Sequence, residues 1–380
     1  MKIVIFGSGN AGKFLFNEIS NNSEDIEVIA FLDNFAYGDY KGKRIYRPED
    51  FFDIYGMIDA VFIAAGAQKT LKTMIDICLE NKIYDIYMMH DIAGKCPLPL
   101  FDETGMIETR IRKLKFSKEK PSLSYFEVPI TDCCNLNCKG CLFASNLVQG
   151  AQHVDIKILR QDADRMSQLF FDIPWIRILG GEPLMHPDII EVLQLYRKYF
   201  PESEIDLCTN GLLISKMNYE FWNCIRKERI SIHISGYKPV YHLLNQIDSI
   251  LKEQQVPYAI LRRDEFLKYY TKESTNDMQK SFEKCIASGC YEVYKGRIST
   301  CSAVIAFEKF NDIFKTKYQI TENEDWFDIH NPKLDAWEVK KKLESPSFAC
   351  KYCSDSVRES FEWDYSSKSP LLDDYLLSEN

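Results

Sequence analysis

The segment Cys134-Asn-Leu-Asn-Cys138-Lys-Gly-Cys141 sets three thiols at x3 and x2 spacing. Three such thiolates can hold three irons of a 4Fe-4S cluster and leave the fourth iron without a protein ligand. Structural zinc would instead need four ligands in a closed tetrahedron, and the closest histidine in sequence is His153. Cys133 adjoins Cys134, so its side chain is expected to point away and pack. A second group follows far along the chain: Cys285, Cys290, Cys301, Cys350 and Cys353. The other cysteines, Cys78, Cys96, Cys208 and Cys224 together with Cys133, read as core fillers among apolar residues or at strand ends.

Composition bounds what these thiols can be. The chain has 380 residues, 46% hydrophobic and 27% charged, too long for one ordinary core, so two or three domains are expected. Its formal net charge of −9 disfavours nucleic-acid partners. No apolar run is long enough for a membrane helix, and Met1 to Phe6 runs directly into a glycine turn rather than a signal peptide. A cytoplasmic location is expected, where thiols stay reduced and grouped cysteines favour metal or cluster ligation over disulfides.

The elements that must position these groups alternate between strand and helix, which predicts an α/β protein. Lys2 to Phe6 reads as a buried strand, Gly7-Ser-Gly9-Asn-Ala-Gly12 as a GxGxxG turn opening a helix, and Glu27 to Leu32 as a second strand ending at Asp33. The glycines would let backbone approach a pyrophosphate at a helix N-terminus, with Asp33 accepting hydrogen bonds from a ribose. The same turn can merely pack strand on helix. Ala60 to Ala65, ending at Gly66, a helix over 71–81 and a strand over 83–89 complete a small doubly wound domain, residues 1–115. Phe31-Leu-Asp33-Asn34, Tyr40 to Ile45 and Asp59 to Ala64 resemble the N-terminal Rossmann-like domain of sugar O-acyltransferases, which implies a nucleotide-linked sugar as ligand. Arg110, Arg112, Lys113, Lys115, Lys118 and Lys120, closed by Pro121, read as a solvated linker.

Beyond it, strands are expected at 125–131, 175–179, 204–208, 230–234 and 258–261, with helices at 159–170, 187–200 and 217–227. A partial barrel over 123–275 would carry its chemistry on loops after the strand C-termini. There the cysteine loop follows the first strand, Gly180-Gly181-Glu182-Pro183 the second, Thr209-Asn210-Gly211 the third, and Ser235 the fourth. Together these motifs resemble the radical S-adenosylmethionine (SAM) superfamily, with its CxxxCxxC signature and GGEP motif. One departure is Gly140, where that family often carries an aromatic residue. The resemblance implies a partial (β/α)6 barrel, with Cys134, Cys138 and Cys141 holding the SAM-binding 4Fe-4S cluster. Gly180, Gly181, Glu182, Pro183, Thr209, Asn210 and Ser235 would surround SAM, with Glu182 and nearby backbone on its ammonium. One-electron reduction would then release a 5′-deoxyadenosyl radical, which takes a hydrogen atom from substrate. His186, just before Pro187 at a helix start, is expected to shape the helix entry. His233 stays open, facing either the barrel lumen or the outer layer.

Cys285-x10-Gly296-x4-Cys301, followed by Cys350-Lys-Tyr-Cys353, resembles the auxiliary-cluster region of the SPASM and twitch branches. Five cysteines are too few for two extra clusters. The resemblance thus implies a twitch/SPASM-like region, 276–380, with one auxiliary 4Fe-4S cluster on Cys285, Cys301, Cys350 and Cys353. Cys290 is then a replacement ligand, a hydrogen-atom donor or inert, and a zinc ribbon is the alternative for the set. The functional expectation is a radical SAM oxidoreductase or epimerase that dehydrogenates or epimerises a nucleotide-linked sugar. A one-electron donor such as flavodoxin or ferredoxin would serve it. The alternative is a peptide-modifying maturase, although the GxGxxG unit stands where a winged peptide-binding segment would precede the barrel.

Overall fold

The computed structural model describes all residues except 55, 57, 66–67, 90–110, 149, 151 and 379–380. Cys96, Gly66 and Arg110 therefore lie outside the described residues. The chain divides into two compact units, residues 1–117 and 118–380.

In the first unit the elements run β1 (Lys2–Phe6), α1 (Asn10–Asn22), β2 (Glu27–Leu32), β3 (Gly38–Tyr40), β4 (Lys43–Tyr46), α2 (Pro48–Ile54), β5 (Ala60–Ile63), α3 (Gln68–Glu80), β6 (Ile86–Met89) and β7 (Ile111–Lys113). They form one sheet of order β3-β4-β2-β1-β5-β6-β7. β1 runs parallel to both β2 and β5 in its centre. The apolar runs of β1 and β5 are buried, as expected of parallel strands covered on both faces. On α1, Leu15, Phe16 and Ile19 recur at helical spacing and are buried in the same core as Ile3, Ile5 and Phe31. The basic segment expected as linker is in part a strand: Ile111 to Lys113 pair antiparallel with Met89 to Tyr87. Charge is tolerated there because β7 is the sheet edge, and Lys113 forms an ion pair with Asp85.

The second unit comprises β8 (Phe126–Pro129), α4 (Ile156–Leu169), β9 (Trp175–Leu179), α5 (Ile189–Tyr199), β10 (Glu204–Thr209), α6 (Tyr219–Lys227), β11 (Ile230–Tyr237), α7 (Leu244–Glu253), β12 (Tyr258–Arg263), β13 (Glu265–Lys268), α8 (Met278–Lys284), β14 (Glu292–Tyr294), β15 (Arg297–Ser299), α9 (Ser302–Phe314), β16 (Trp326–Asp328), α10 (Ala336–Leu343) and β17 (Glu359–Glu362). The sheet order is β12-β11-β10-β9-β8-β14-β15-β16. One expectation changes. The sixth strand parallel to the barrel strands is β14, which lies beside β8 rather than beyond β12, so the six do not run consecutively as a (β/α)6 repeat would. The region from 276 also shares the barrel's sheet, since β14, β15 and β16 extend it. The local signal for β14 is three residues long, and only its pairing shows where it belongs.

The strands alternate, and alternation separates the two faces. Phe126, Val128, Ile176, Ile178, Ile205, Leu207, Ile230, Ile232 and Ile234 join α4, α5 and α6 in one apolar core. The opposite face carries, in register across β14, β8, β9, β10 and β11, the row Glu292–Glu127–Arg177–Asp206–Ser231. One step toward the strand C-termini, Cys208 pairs with His233.

A severe steric constraint lies at the end of β9. Gly180 has φ +142, and a Cβ there would stand 2.4 Å from the Thr131 carbonyl oxygen; at Gly181 a Cβ would stand 2.4 Å from the Cys133 oxygen. Both obstacles are backbone and cannot swing aside. Gly181→Ala is therefore expected to destabilise the protein by at least about 2 kcal/mol. Chemical denaturation of the cluster-free protein measures this, and a wild-type midpoint would refute it.

Candidate active site

The cysteine loop is fixed from three directions. First, the end of β9 hydrogen-bonds along its base: Gly181 N–H donates to Thr131 O at 2.7 Å and Glu182 N–H to Cys133 O at 2.8 Å. The glycines expected to admit a ligand are thus required by the chain's own backbone. Second, Lys309 on α9 reaches both ends of the loop, donating to Asp132 Oδ1 at 2.5 Å and to the Phe143 carbonyl at 2.7 Å. Third, the segment from β17 onward clasps it. Trp363 Nε1–H donates to Cys138 Sγ at 3.2 Å, Lys139 N–H to Asp364 O, and Ser366 N–H to Asn137 O. Gly140 suits this clasp: it has φ +63, and a Cβ there would meet Phe361 at 2.8 Å. This accounts for its departure from the aromatic residue expected at that position.

Glu182 is fully buried, at 0% exposure. Its Oε1 accepts the Thr209 hydroxyl at 2.7 Å and Leu184 N–H at 3.1 Å, and its Oε2 accepts Asn210 N–H at 2.8 Å. Asn210 Nδ2 in turn donates to Asn135 Oδ1 at 2.7 Å, inside the cysteine loop. Glu182, Thr209 and Asn210 are thereby joined to that loop, and Pro183 is buried beside them. Desolvation raises the Glu182 pKa to about 7 against these donors, which lower it. Ser235 is half-buried and hydrogen-bonds Tyr237, whose charge interactions reach Cys138 and Cys141.

Burial raises the Cys134 pKa, and the neighbouring Cys141, Glu182 and Cys138 charges raise it further. Burial and Cys141 likewise push Cys138 up to about 12. Thiols so placed ionise only against a positive centre, which is what a metal cluster supplies. Cys133 packs against Met185, 3.9 Å between sulfurs, as expected. His186 shapes the helix entry: its Nδ1 accepts Asp188 N–H at 3.1 Å, so its Nε2 carries the proton donated to Val154 O at 3.0 Å.

Among the later cysteines, Cys285 caps the end of α8, Cys301 precedes α9, Cys350 lies in a short 3-10 turn and Cys353 ends it. Burial raises the Cys353 pKa, and Cys301, Cys350 and Cys285 add to it, so these four thiols share one neighbourhood. Cys290 answers to other groups: after burial, its largest influences are Glu127, Arg177 and Glu292 on the polar sheet face. Among the described residues no three His, Cys, Asp or Glu side chains form a group that could hold a metal ion.

The polar face adds residues that sequence reading missed. Cys208, expected as a core filler, lies 3.7 Å from His233 Nδ1 and within charge range of Arg177. Arg177 pairs with Asp206 at 3.3 Å, Trp175 Nε1 donates to Asp206 at 2.9 Å, and the Tyr125 hydroxyl donates to Glu127. Period-two alternation marks this face in the sequence, and Cys208 and His233 both fall on it.

In the first unit, Gly7 has φ +107 and a Cβ there would stand 2.6 Å from Ala64 O; at Gly12 a Cβ would stand 1.8 Å from Gly7 O. Gly9 faces open space at the start of α1. Asp33 accepts Ser8 N–H and its hydroxyl on one oxygen, and Phe35 and Ala36 N–H on the other, at 2.7–3.0 Å. Burial would raise its pKa, but these four donors hold it below the ordinary carboxylate value. Asp33 thus organises the glycine turn and its own loop, and its acceptor sites are engaged by the chain rather than left for a ribose.

Residues 128–254 match the Radical SAM superfamily. The family implies SAM and a 4Fe-4S cluster; of the three loop thiols Cys138 is buried and Cys134 and Cys141 are partly exposed. The GTP 3′,8-cyclase of Peptoclostridium acidaminophilum is 31% identical over 119 residues, 31% of this chain and 36% of that protein. Molybdenum cofactor biosynthesis protein 1 of Dictyostelium discoideum is 30% identical over 95 residues, 24% of this chain and 15% of that protein. The chain spans about a third of the length of the GTP 3′,8-cyclases it matches. Among solved structures, BtrN in complex with AdoMet and 2-DOIA aligns over 68% of this chain and 100% of its own, at 15% identity and TM-score 0.39. Streptococcus suis SuiB bound to S-adenosylmethionine aligns over 61% of this chain and 72% of its own, at 12% identity and TM-score 0.33. No helix among the described residues is long and apolar enough to cross a membrane.

Two outcomes follow. An N–H donated to a ligand sulfur stabilises the more negative, reduced cluster, so Trp363→Phe, which keeps the ring but loses the donor, is expected to move the midpoint potential of the cluster on this loop to more negative values. Potentiometric EPR titration reads this, and an unmoved potential would rule it out. For Glu182, the pKa of about 7 lies above the usual 4.5. The carboxyl is protonated in folded and unfolded chains below pH 4.5, but between 4.5 and 7 only the unfolded chain ionises. Its contribution to stability is therefore lost as pH rises through 7. From pH 5 to pH 8 the stability of Glu182→Gln should improve relative to wild type by about 2–3 kcal/mol in cluster-free protein; parallel denaturation curves at both pH values would contradict this.

Proposed function

We propose that this chain is a radical SAM enzyme that dehydrogenates or epimerises a nucleotide-linked sugar. The observation that carries the reading is the row of ionisable side chains on the inner sheet face, Glu292–Glu127–Arg177–Asp206, within charge range of Cys301 and of Asp132, two residues before Cys134. A parallel sheet covered on both faces is ordinarily apolar on both, so a polar face points to polar cargo. Bound to Cys134, Cys138 and Cys141, a 4Fe-4S cluster with SAM would supply a 5′-deoxyadenosyl radical. The chain's own groups do the rest. Glu182, Thr209 and Asn210 form the SAM side of the site, with Gly180, Gly181, Pro183 and Ser235 around them. The clasp by Trp363 covers Cys138, and the polar face orients the substrate.

Cys285, Cys301, Cys350 and Cys353 would hold an auxiliary 4Fe-4S cluster, which would accept an electron if the carbon is oxidised to a ketone. Cys290, turned to the polar face, is the thiol positioned to return a hydrogen atom if the carbon is inverted. Supply of electrons would fall to a small carrier such as flavodoxin or ferredoxin. The nucleotide half of the reading is supported by the first unit, a Rossmann-like unit in which Gly7, Gly9 and Gly12 open α1. There Phe35 and Tyr37, 87% and 67% exposed, follow the Asp33-organised loop and offer rings for a base to stack on.

Anaerobic reconstitution is expected to give about eight irons per chain, two clusters' worth, and the triple change Cys134→Ala, Cys138→Ala, Cys141→Ala to leave about four and abolish SAM cleavage. In wild type, nucleotide sugars should raise 5′-deoxyadenosine formation above the substrate-free level. Stimulation by a peptide and by no sugar would reverse the assignment.

A further inference from the structure

Resting on the reading above, we propose that Glu292 is a substrate-contacting residue whose carboxyl group receives hydrogen bonds from a hydroxyl or amino group of a polyhydroxylated ring. Glu292 is fully buried, at 0% exposure, yet neither carboxyl oxygen has a hydrogen-bond partner among the described residues. Its neighbours in the row are served. Tyr125 donates to Glu127, and Asp206 receives both Trp175 and Arg177. The ammonium group whose charge acts on Glu292, that of Lys309, is committed to Asp132 and Phe143.

An unsatisfied buried polar group is unfavourable, and one carrying two idle acceptors in a polar wall has the form of a site that awaits a donor. Position adds a second argument. Glu292 stands in register with Glu127 on the inner face, so it faces the same side as Arg177 and Asp206. It acts electrostatically on Cys301 and Cys290, and it feels Asp132, two residues before Cys134. A ring held by Glu292 would therefore lie on the polar sheet face near Cys290 and Cys301. Backbone geometry gives no competing reason for an acid here, since β14 pairs with β8 and β15 whatever side chain is present.

The test compares wild type with Glu292→Met, which keeps the volume and removes both acceptors, and with Glu292→Gln. All are full-length, cluster-loaded and studied anaerobically with SAM. The probes are UDP-glucose, UDP-glucosamine, and the free rings glucose, glucosamine and myo-inositol. Without probe, Glu292→Met is expected to melt about 2–4 °C higher than wild type, because it relieves an unserved group. At least one probe should stabilise wild type, and its affinity should fall at least tenfold in Glu292→Met and less in Glu292→Gln, which keeps one acceptor. Preference for the glucosamine forms would identify an amine as the donor, and equal response an alcohol.

A lower melting temperature in Glu292→Met would reveal a structural partner and overturn the proposal. So would binding unchanged by the substitution, or no response of wild type to any probe. Free rings that bind through Glu292 while both UDP-sugars fail would leave this assignment standing and remove the nucleotide half of the proposed function. UDP-sugars that bind equally to both variants would do the reverse.

Discussion

Everything in the second unit that concerns the cysteine loop depends on how closely two stretches of backbone approach one another. The end of β9 runs against Thr131 to Cys133 with two hydrogen bonds and no space for a Cβ at Gly180 or Gly181. That contact sets where Cys134 begins and where Glu182 points. From Glu182 the hydrogen bonds continue through Thr209 and Asn210 to Asn135, returning to the loop. Three strand ends and one loop thus form a closed circuit in which each member is placed by the next.

Around this circuit the sheet separates two environments. Its outer face is an ordinary apolar core that supplies stability. Its inner face gathers carboxylates, a guanidinium, thiols and an imidazole where burial makes each charge expensive unless matched. Arg177 stacks on Trp175 at 4.6 Å while pairing with Asp206, so one cation meets both an aromatic face and a carboxylate. Concentrating the unfavourable groups on one side leaves the other free to hold the fold together.

Much of this was legible in the chain. The strand at 175–179 and those at 2–6 and 27–32 follow from apolar runs bounded by turns, and the loop motifs fall at strand ends as their order implies. What was legible in position was not always legible in cause: Gly180 and Gly181 are where a ligand-approach motif would put them, but the crowding atoms belong to the chain itself. Asp33 likewise marks the end of β2 yet spends its oxygens on Ser8, Phe35 and Ala36. Other features had no local signature. β7 was hidden by its charge and β14 by its brevity. Trp363 meets Cys138 from 225 positions away, and Glu292 is one acid among many until its pairing with β8 gives it a face. Period-two patterning could have singled out Cys208, since its neighbours Leu207 and Ile205 belong to the opposite side.

The clasp on the cysteine loop has a consequence for how the molecule is made. A ribosome delivers Cys134, Cys138 and Cys141 long before Trp363, Asp364 and Ser366, so during most of synthesis the three thiols have no cover. The hydrogen bonds from Trp363, Asp364 and Ser366 to this loop are therefore among the later contacts the chain can form, since their partners lie more than 220 positions apart in sequence.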